Sequence, residues 1–265
     1  MSSQRGFGST VGTLLATITG NLYLVVGGLV FGMATTLFGL VLPAGKVFRF
    51  MGRWYGRTTL WACGAYAEAV FEEDPERAGN SILMPNHQSL FDIPALLATL
   101  PGETRFLAKQ SLFKIPIFGW ALRTGGFIPV DRGNRSRGGE TFRSAIDGLD
   151  EGVSILLFPE ETRSSDGRLQ EFKRGGFLMA LRSGLPIVPV GIDGSFRVRR
   201  KSSWLIRPGK VTVHYGRAVS SDGLSLKNKK ELMTTVRQEI VRLAKLDVEE
   251  SGVETPRKGQ STDGH

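Results

Sequence analysis

From Gly6 to Gly45 the chain carries no charged residue for forty consecutive positions. A helix that crosses a bilayer needs about 20 apolar residues, so this run is long enough to enter a membrane. It is rich in glycine (Gly20, Gly27, Gly28, Gly32, Gly39), and Thr19-Gly20-Asn21 is the natural place for a break. Two membrane readings compete: a single span from about Leu22 to Leu42, or a helical hairpin that dips into one leaflet. A pair of buried soluble helices is the bland alternative. A cleaved signal peptide is disfavoured, because the apolar region is too long and no small-residue cleavage site follows it promptly.

Val47 to Trp61 sharpens the choice. Arg49, Arg53 and Arg57 recur every fourth residue and so share one helix face, with Phe50, Trp54 and Trp61 nearby. An interfacial helix needs this pairing of guanidinium groups with large aromatics. An exposed soluble helix can carry the same pattern, but its place directly after the uncharged run favours the membrane. Residues 1–61 are therefore expected to anchor the chain to a cell membrane. Lys46, Arg49, Arg53 and Arg57 against a lone Arg5 put the following domain on the cytoplasmic face.

The 265 residues, 41% of them hydrophobic, suffice for one large α/β domain plus this appendage. One cysteine, Cys63, excludes a disulfide framework and any multi-cysteine metal site. With only His87, His214 and His265 as histidines, no metal is expected. A net charge of +9 calls for an anionic partner. Beside an apolar anchor, that partner reads as the lipid bilayer and not nucleic acid.

Residues 62–246 alternate strands with helices. Strands are expected at Tyr66–Phe71, Ser81–Met84 ending at Pro85, Arg105–Ala108, Phe127–Val130, Val153–Phe158, Ile187–Ile192 and Lys210–Tyr215. Helices are expected at Ile93–Leu100, Ser136–Asp150, Phe172–Arg182 and Asn228–Lys245. Lys114–Thr124 is strongly apolar, either core or one wall of an acyl-chain groove. Residues 247–265 are polar and aperiodic and are expected to be a disordered tail. This order implies an α/β fold with a mixed, largely parallel sheet flanked by helices. Ligands bind such sheets in the crevice outside the strand ends.

NHQSLFD, Asn86 to Asp92, begins where the second strand stops. His87 and Asp92 are five residues apart, a step that turns ~500° on one unbroken helix and leaves the side chains ~140° apart. A working pair therefore needs His87 on the strand-to-helix turn and Asp92 in the first helical turn. Ser89 then sits as an N-cap with Asp92 three residues on. A histidine oriented by a carboxylate is the usual general base for a hydroxyl. From this stretch alone, a capping device beside a hydrogen-bonded turn histidine fits equally.

Four stretches taken together resemble the glycerolipid acyltransferase family of the lysophosphatidic acid acyltransferase type: NHQSLFD, GGFIPVDR (Gly125–Arg132), FPEETRS (Phe158–Ser164) and IVPVGI (Ile187–Ile192). The likeness runs from about Ser81 to Gly216. It implies transfer of an acyl chain from an acyl-CoA or acyl carrier protein thioester to the sn-2 hydroxyl of 1-acyl-sn-glycerol 3-phosphate, giving phosphatidic acid. The alternative is another lysolipid, or glycerol 3-phosphate, as acceptor. The thioester is a co-substrate, and no cofactor is implied. His87 becomes the base and Asp92 its orienting partner. By the same likeness Arg163, Arg132 and Lys109 hold the acceptor's phosphate, as an arginine fork can. Glu160 orders Arg163 or touches the glycerol; its bland alternative is a surface ion pair with Arg163. Oxyanion donors are expected around Gly125-Gly126 or from Pro159 to Thr162, and Pro189 is either a positioning residue or a simple strand constraint.

Glu161 departs from the family, which usually has glycine there. A side chain is costly if the backbone needs a positive φ. Its charge beside the phosphate site that the likeness implies favours an acceptor with a less anionic headgroup. The basic run Arg197-Val198-Arg199-Arg200-Lys201 is either a solvated loop or a dock for an acidic carrier protein, coenzyme A phosphates or anionic lipid.

Overall fold

The computed structural model describes residues 3–74, 80–131 and 146–246. The strands are β1 (Ala65–Phe71), β2 (Ile82–Pro85), β3 (Thr104–Lys109), β4 (Ile128–Val130), β5 (Ser154–Leu156), β6 (Ile187–Asp193) and β7 (Gly209–Tyr215). They form one sheet in the order β1-β7-β6-β2-β5-β3-β4. Every pairing is parallel except β6 with β7. The mixed, largely parallel sheet expected from the sequence is therefore present.

The central strands are apolar runs because both faces of the sheet are covered. Ile82, Met84, Ile155 and Ile187 point to one core, and Leu83, Leu156, Val188 and Val190 to the other. Helices α5 (Arg174–Ser183) and α7 (Lys229–Leu243) close the first layer through Phe177, Met179, Val236 and Ile240. Helix α3 (Asp92–Thr99) closes the second through Ala95 and Leu96. Helices α4 (Phe118–Thr124) and α6 (Ser195–Val198) are short connectors. The helix expected over 136–150 and the tail at 247–265 lie largely or wholly outside the described residues.

The uncharged run folds as one unbroken helix, not as a hairpin within itself, and pairs with the basic helix that follows it. Helix α1 (Ser3–Gly39) turns at Leu40–Pro43 into α2 (Ala44–Ala62). The two are antiparallel, as Thr19 Oγ1 donates to Ala62 O, Tyr23 OH to Thr58 Oγ1, and Tyr55 OH to Leu24 O. Thr10–Gly39 is, among the described residues, the one helix long and apolar enough to cross a membrane. The expected break at Thr19-Gly20-Asn21 does not form. Gly20 is there for close approach: a Cβ at this position would stand 2.4 Å from Cys63 Sγ and 2.9 Å from Ile206 Cδ1. Asn21 stays helical, its Nδ2 donating to Thr17 O and Trp204 O. The outer face of α1, with Leu14, Leu15, Ile18, Leu22 and Val25, is exposed.

The basic stripe of α2 is split. Arg49 and Arg57 are exposed, whereas Arg53 turns inward and donates at 2.6 Å to the carbonyl of Leu100, the C-cap residue of α3. The apolar stretch Lys114–Thr124 is also split. Phe113, Ala121 and Leu122 are core, while Ile115, Phe118 and Trp120 remain exposed beside α1, whose Gly32 abuts Ile117 and Ala121.

Candidate active site

Strand β2 lies between β6 and β5, and the chain leaves its C-terminal end as Asn86-His87. Asn86 is fully buried and laces β2 to β6: Nδ2 donates to Ile192 O at 3.0 Å, and Oδ1 accepts from Ile192 N at 2.6 Å. This fixes the exit direction of the next residue. His87 sits on the turn and Asp92 opens α3, as the spacing requires. His87 Nδ1 meets Asp92 Oδ2 at 2.7 Å. The same carboxylate oxygen accepts from the N–H groups of Gln88 (2.8 Å) and Ser89 (2.9 Å). Ser89 Oγ accepts from Phe91 N in the turn ahead of α3, but the N-cap is Phe91 and no side chain caps the helix. The pairing is therefore realised and the expected Ser89 cap is not.

Asp92 is wholly buried and His87 keeps 17% of its side chain exposed. Oδ2 already accepts two backbone N–H groups, so the His87 bond to it is a third donation, and Nδ1 carries the proton while Nε2 keeps its lone pair. Oδ1 is buried without a partner among the described residues. The imidazole also stacks on Phe158, centroids 3.8 Å apart and planes at 22°. It is thereby held in plane and in tautomer with Nε2 available to take a proton.

Glu160 is the largest surprise. It neither pairs with Arg163 nor reaches into solvent. It is 1% exposed, and its two oxygens accept from His87 N (2.6 Å) and Gln170 N (2.7 Å). Ser164 N in turn donates to His87 O at 2.8 Å. The FPEETRS loop therefore grips both sides of the histidine's own peptide. Burial pushes the Glu160 carboxyl up to about 8, although the two N–H bonds pull the other way. Arg237, on α7, braces the far side by donating to Leu169 O and Gln170 O at 3.0 and 2.7 Å. Nothing in local sequence spacing marks it, because it lies some seventy residues beyond the loop it supports.

Glu161 adopts φ +58°. The positive φ foreseen as the cost of a non-glycine residue is realised. We expect Glu161→Gly to raise stability by roughly 1 kcal/mol, read as an upward shift in melting temperature. Glu161 also lines a shallow hollow with Leu107, Val130, Phe158 and Lys173.

The other expected residues divide. Lys109 ends β3 at the same sheet edge as His87. It lies two strands over, about 9.5 Å by strand spacing. Arg163 is half-buried on the loop between them, and its carbonyl accepts from Lys201 Nζ at 2.7 Å. Thr162 is exposed, with Lys201 Nζ 3.3 Å from its hydroxyl. Arg132 lies outside the described residues. Pro189 is buried opposite Met84 inside the sheet, so the strand-constraint reading fits it and the positioning one does not.

Gly125 and Gly126 are not beside His87. They follow α4 and precede β4, level with Arg105 at the opposite edge of the sheet. Their N–H groups are already given to Ala121 O and Arg123 O. Sequence likeness could not show this, because the glycines end a helix and do not cradle a ligand.

Arg199 was missed as a neighbour of the site: its carbonyl accepts from Ser89 Oγ at 2.6 Å. Its guanidinium turns away, donating to Ser203 O and to Asn21 Oδ1, and burial, then the charge of Arg163, lowers its pKa. A separate hollow of about 370 Å³ opens at the other sheet edge and is lined by Glu73, Asp74, Glu103 and Glu151, with Arg49 as the one cation among the described residues around it. That acidic rim repels a phosphate. Among the described residues no cluster of three or more His, Cys, Asp or Glu could hold a metal.

A histidine seated on a buried carboxylate, at the C-terminal edge of a mostly parallel sheet, defines an α/β protein equipped for general-base chemistry. The chain belongs to the acyltransferase family, whose model matches residues 68–193. It is 32% identical to the 1-acyl-sn-glycerol-3-phosphate acyltransferase of Salmonella typhimurium, over 63% of this chain and 67% of that one. It is 36% identical to the chloroplastic 1-acyl-sn-glycerol-3-phosphate acyltransferase BAT2 of Brassica napus, over 50% of this chain but only 38% of that longer relative. The crystal structure of the 1-acyl-sn-glycerophosphate (LPA) acyltransferase PlsC from Thermotoga maritima superposes with a TM-score of 0.73 at 28% identity. That match covers 89% of this chain and 96% of that one.

Proposed function

We propose that the protein moves an acyl chain from a coenzyme A or carrier-protein thioester to the sn-2 hydroxyl of 1-acyl-sn-glycerol 3-phosphate, releasing phosphatidic acid and the free thiol. The observation that carries this reading is the 2.7 Å His87–Asp92 pair at the C-terminal edge of the sheet, held against the loop that bears Arg163. His87 Nε2 takes the proton of the acceptor hydroxyl as that oxygen attacks the thioester carbonyl. Asp92 stabilises the imidazolium. Collapse of the tetrahedral intermediate expels the thiolate, which receives the proton from Nε2. No protein nucleophile is needed. Arg163, Arg132 and Lys109 hold the phosphate, and in the Pro159–Thr162 turn the N–H groups of Glu160 and Thr162 face the oxyanion, since Pro159 has none and that of Glu161 is given to Phe158 O.

The α1–α2 hairpin, with its exposed apolar face, lies in a cell membrane with the sheet domain on the cytoplasmic side. Glu161 favours a second reading, in which the acceptor is a lysolipid of lower charge. The test is to offer the purified protein acyl-coenzyme A with lysophosphatidic acid and with other lysolipids. Phosphatidic acid is the expected product. Free fatty acid formed without any acceptor would make the protein a hydrolase and overturn the proposal.

A further inference from the structure

The loop from Arg197 to Arg207 joins three parts of the molecule. Ser89 Oγ, in the histidine turn, donates to Arg199 O at 2.6 Å. Lys201 Nζ donates to Arg163 O at 2.7 Å, in the FPEETRS loop. On α1, Asn21 bonds Trp204 O (3.1 Å) and Arg199 (3.1 Å), and Ile206 N donates to Thr17 Oγ1 at 3.0 Å. The loop is thus tied to the rim of the site and to the apolar helix at once.

What it shows to solvent is unusual for a soluble loop. Trp204 is 67% exposed. Arg200, Lys201 and Arg207 are exposed around it and have no carboxylate partner among the described residues. Arg197 is paired with Asp193 at 2.8 Å, and Arg200 stands over the Phe196 ring. Thr19, which bonds Ala62 O beside the 80% exposed Trp61, and Asn21, which bonds Trp204 O, lie ~200° apart round α1. The two tryptophans therefore flank the exposed stripe of Ile18, Leu22 and Val25 from opposite sides.

We propose that residues 197–207 form a second membrane-docking element, selective for anionic phospholipid headgroups, that seats the rim of the site on the bilayer surface. It rests on the reading of the site as one that acts on lipid. Tryptophan settles at the headgroup boundary, and clustered lysine and arginine draw a protein to an anionic leaflet. A soluble acidic carrier would account for the basic residues but not for a bare indole continuous with the apolar face of α1.

The test measures partition of the whole protein onto phosphatidylcholine vesicles and onto vesicles containing phosphatidylglycerol. Hairpin insertion serves both, so the ratio of the two reports the loop. R200S/R207S is expected to cut that ratio about tenfold at low salt, with zwitterionic binding and melting temperature unchanged. Brominated lipid is expected to quench a fluorescence component that W204F removes. An unchanged ratio, or an unquenched Trp204, overturns the proposal. So does a rise in the Michaelis constant for the thioester donor with vesicle binding intact, because the loop would then dock the donor. The binding measurement needs no turnover, so an inactive protein that keeps its anionic preference would refute the acyl-transfer reading and not this one.

Discussion

His87→Ala is expected to lower the turnover number for acyl transfer by at least about 10²–10⁴-fold, the range a positioned general base contributes. The Michaelis constants should change little, because the residues assigned to the phosphate sit on other loops. The fold should survive. The peptide of residue 87 keeps its bonds to Glu160 and Ser164, and Asp92 keeps the N–H groups of Gln88 and Ser89. The variant loses only a partly exposed ring stacked on Phe158 and leaves one carboxylate donor to be replaced by water. Comparing single turnovers with thermal melts separates the two effects. Wild-type turnover in a folded His87→Ala protein would remove His87 from the chemistry.

Geometry told where a pair would have to sit, and the family likeness chose the pair over a plain cap. Five residues cannot bring two side chains together on one helix, so a strand end, a turn and a helix start had to fall between them, and NHQSLFD supplies all three. The seven strands were equally legible. Those in the middle are apolar runs, covered on both faces, and β7 shows alternation as Val211, Val213 and Tyr215 turn inward. What could not be read was direction. Glu160 lies three residues from Arg163, which suggested an ion pair. In the fold, the bond from Glu161 N to Phe158 O and the positive φ at Glu161 turn the chain, and the Glu160 carboxylate goes inward to the histidine peptide.

Glycine misled twice for a related cause. Gly20 looked like a helix break and is a contact point with Cys63, while Gly125-Gly126 looked like a cradle and ends α4. In each case the sequence marks that a side chain is unwelcome, and only the neighbours say why.

Replacing Glu160 should have the largest effect on stability. Glu160→Ala leaves the buried N–H groups of His87 and Gln170 without acceptors, at about 1–3 kcal/mol each. Turnover should fall as well, because the histidine's peptide loses one of its two fixed contacts. Glu160→Gln keeps one acceptor and turns an amide N–H₂ toward the second donor, so it recovers only part of the loss.

The pH dependence tests the cause. The carboxyl ionises near 4.5 in the unfolded chain and near 8 in the folded one. Between those values the folded state holds the extra proton, so this group makes stability fall as pH rises, by at most about 1.4 kcal/mol per pH unit. Below about 4.5 and above about 8 its contribution is flat. Glu160→Gln cannot titrate, so the stability gap between wild type and variant should narrow from pH 5 to pH 8. Chemical denaturation at several pH values across that window measures it. A gap that stays constant would mean that Glu160 is already ionised at pH 5. Burial would then be the weaker influence on it, and the two N–H bonds the stronger.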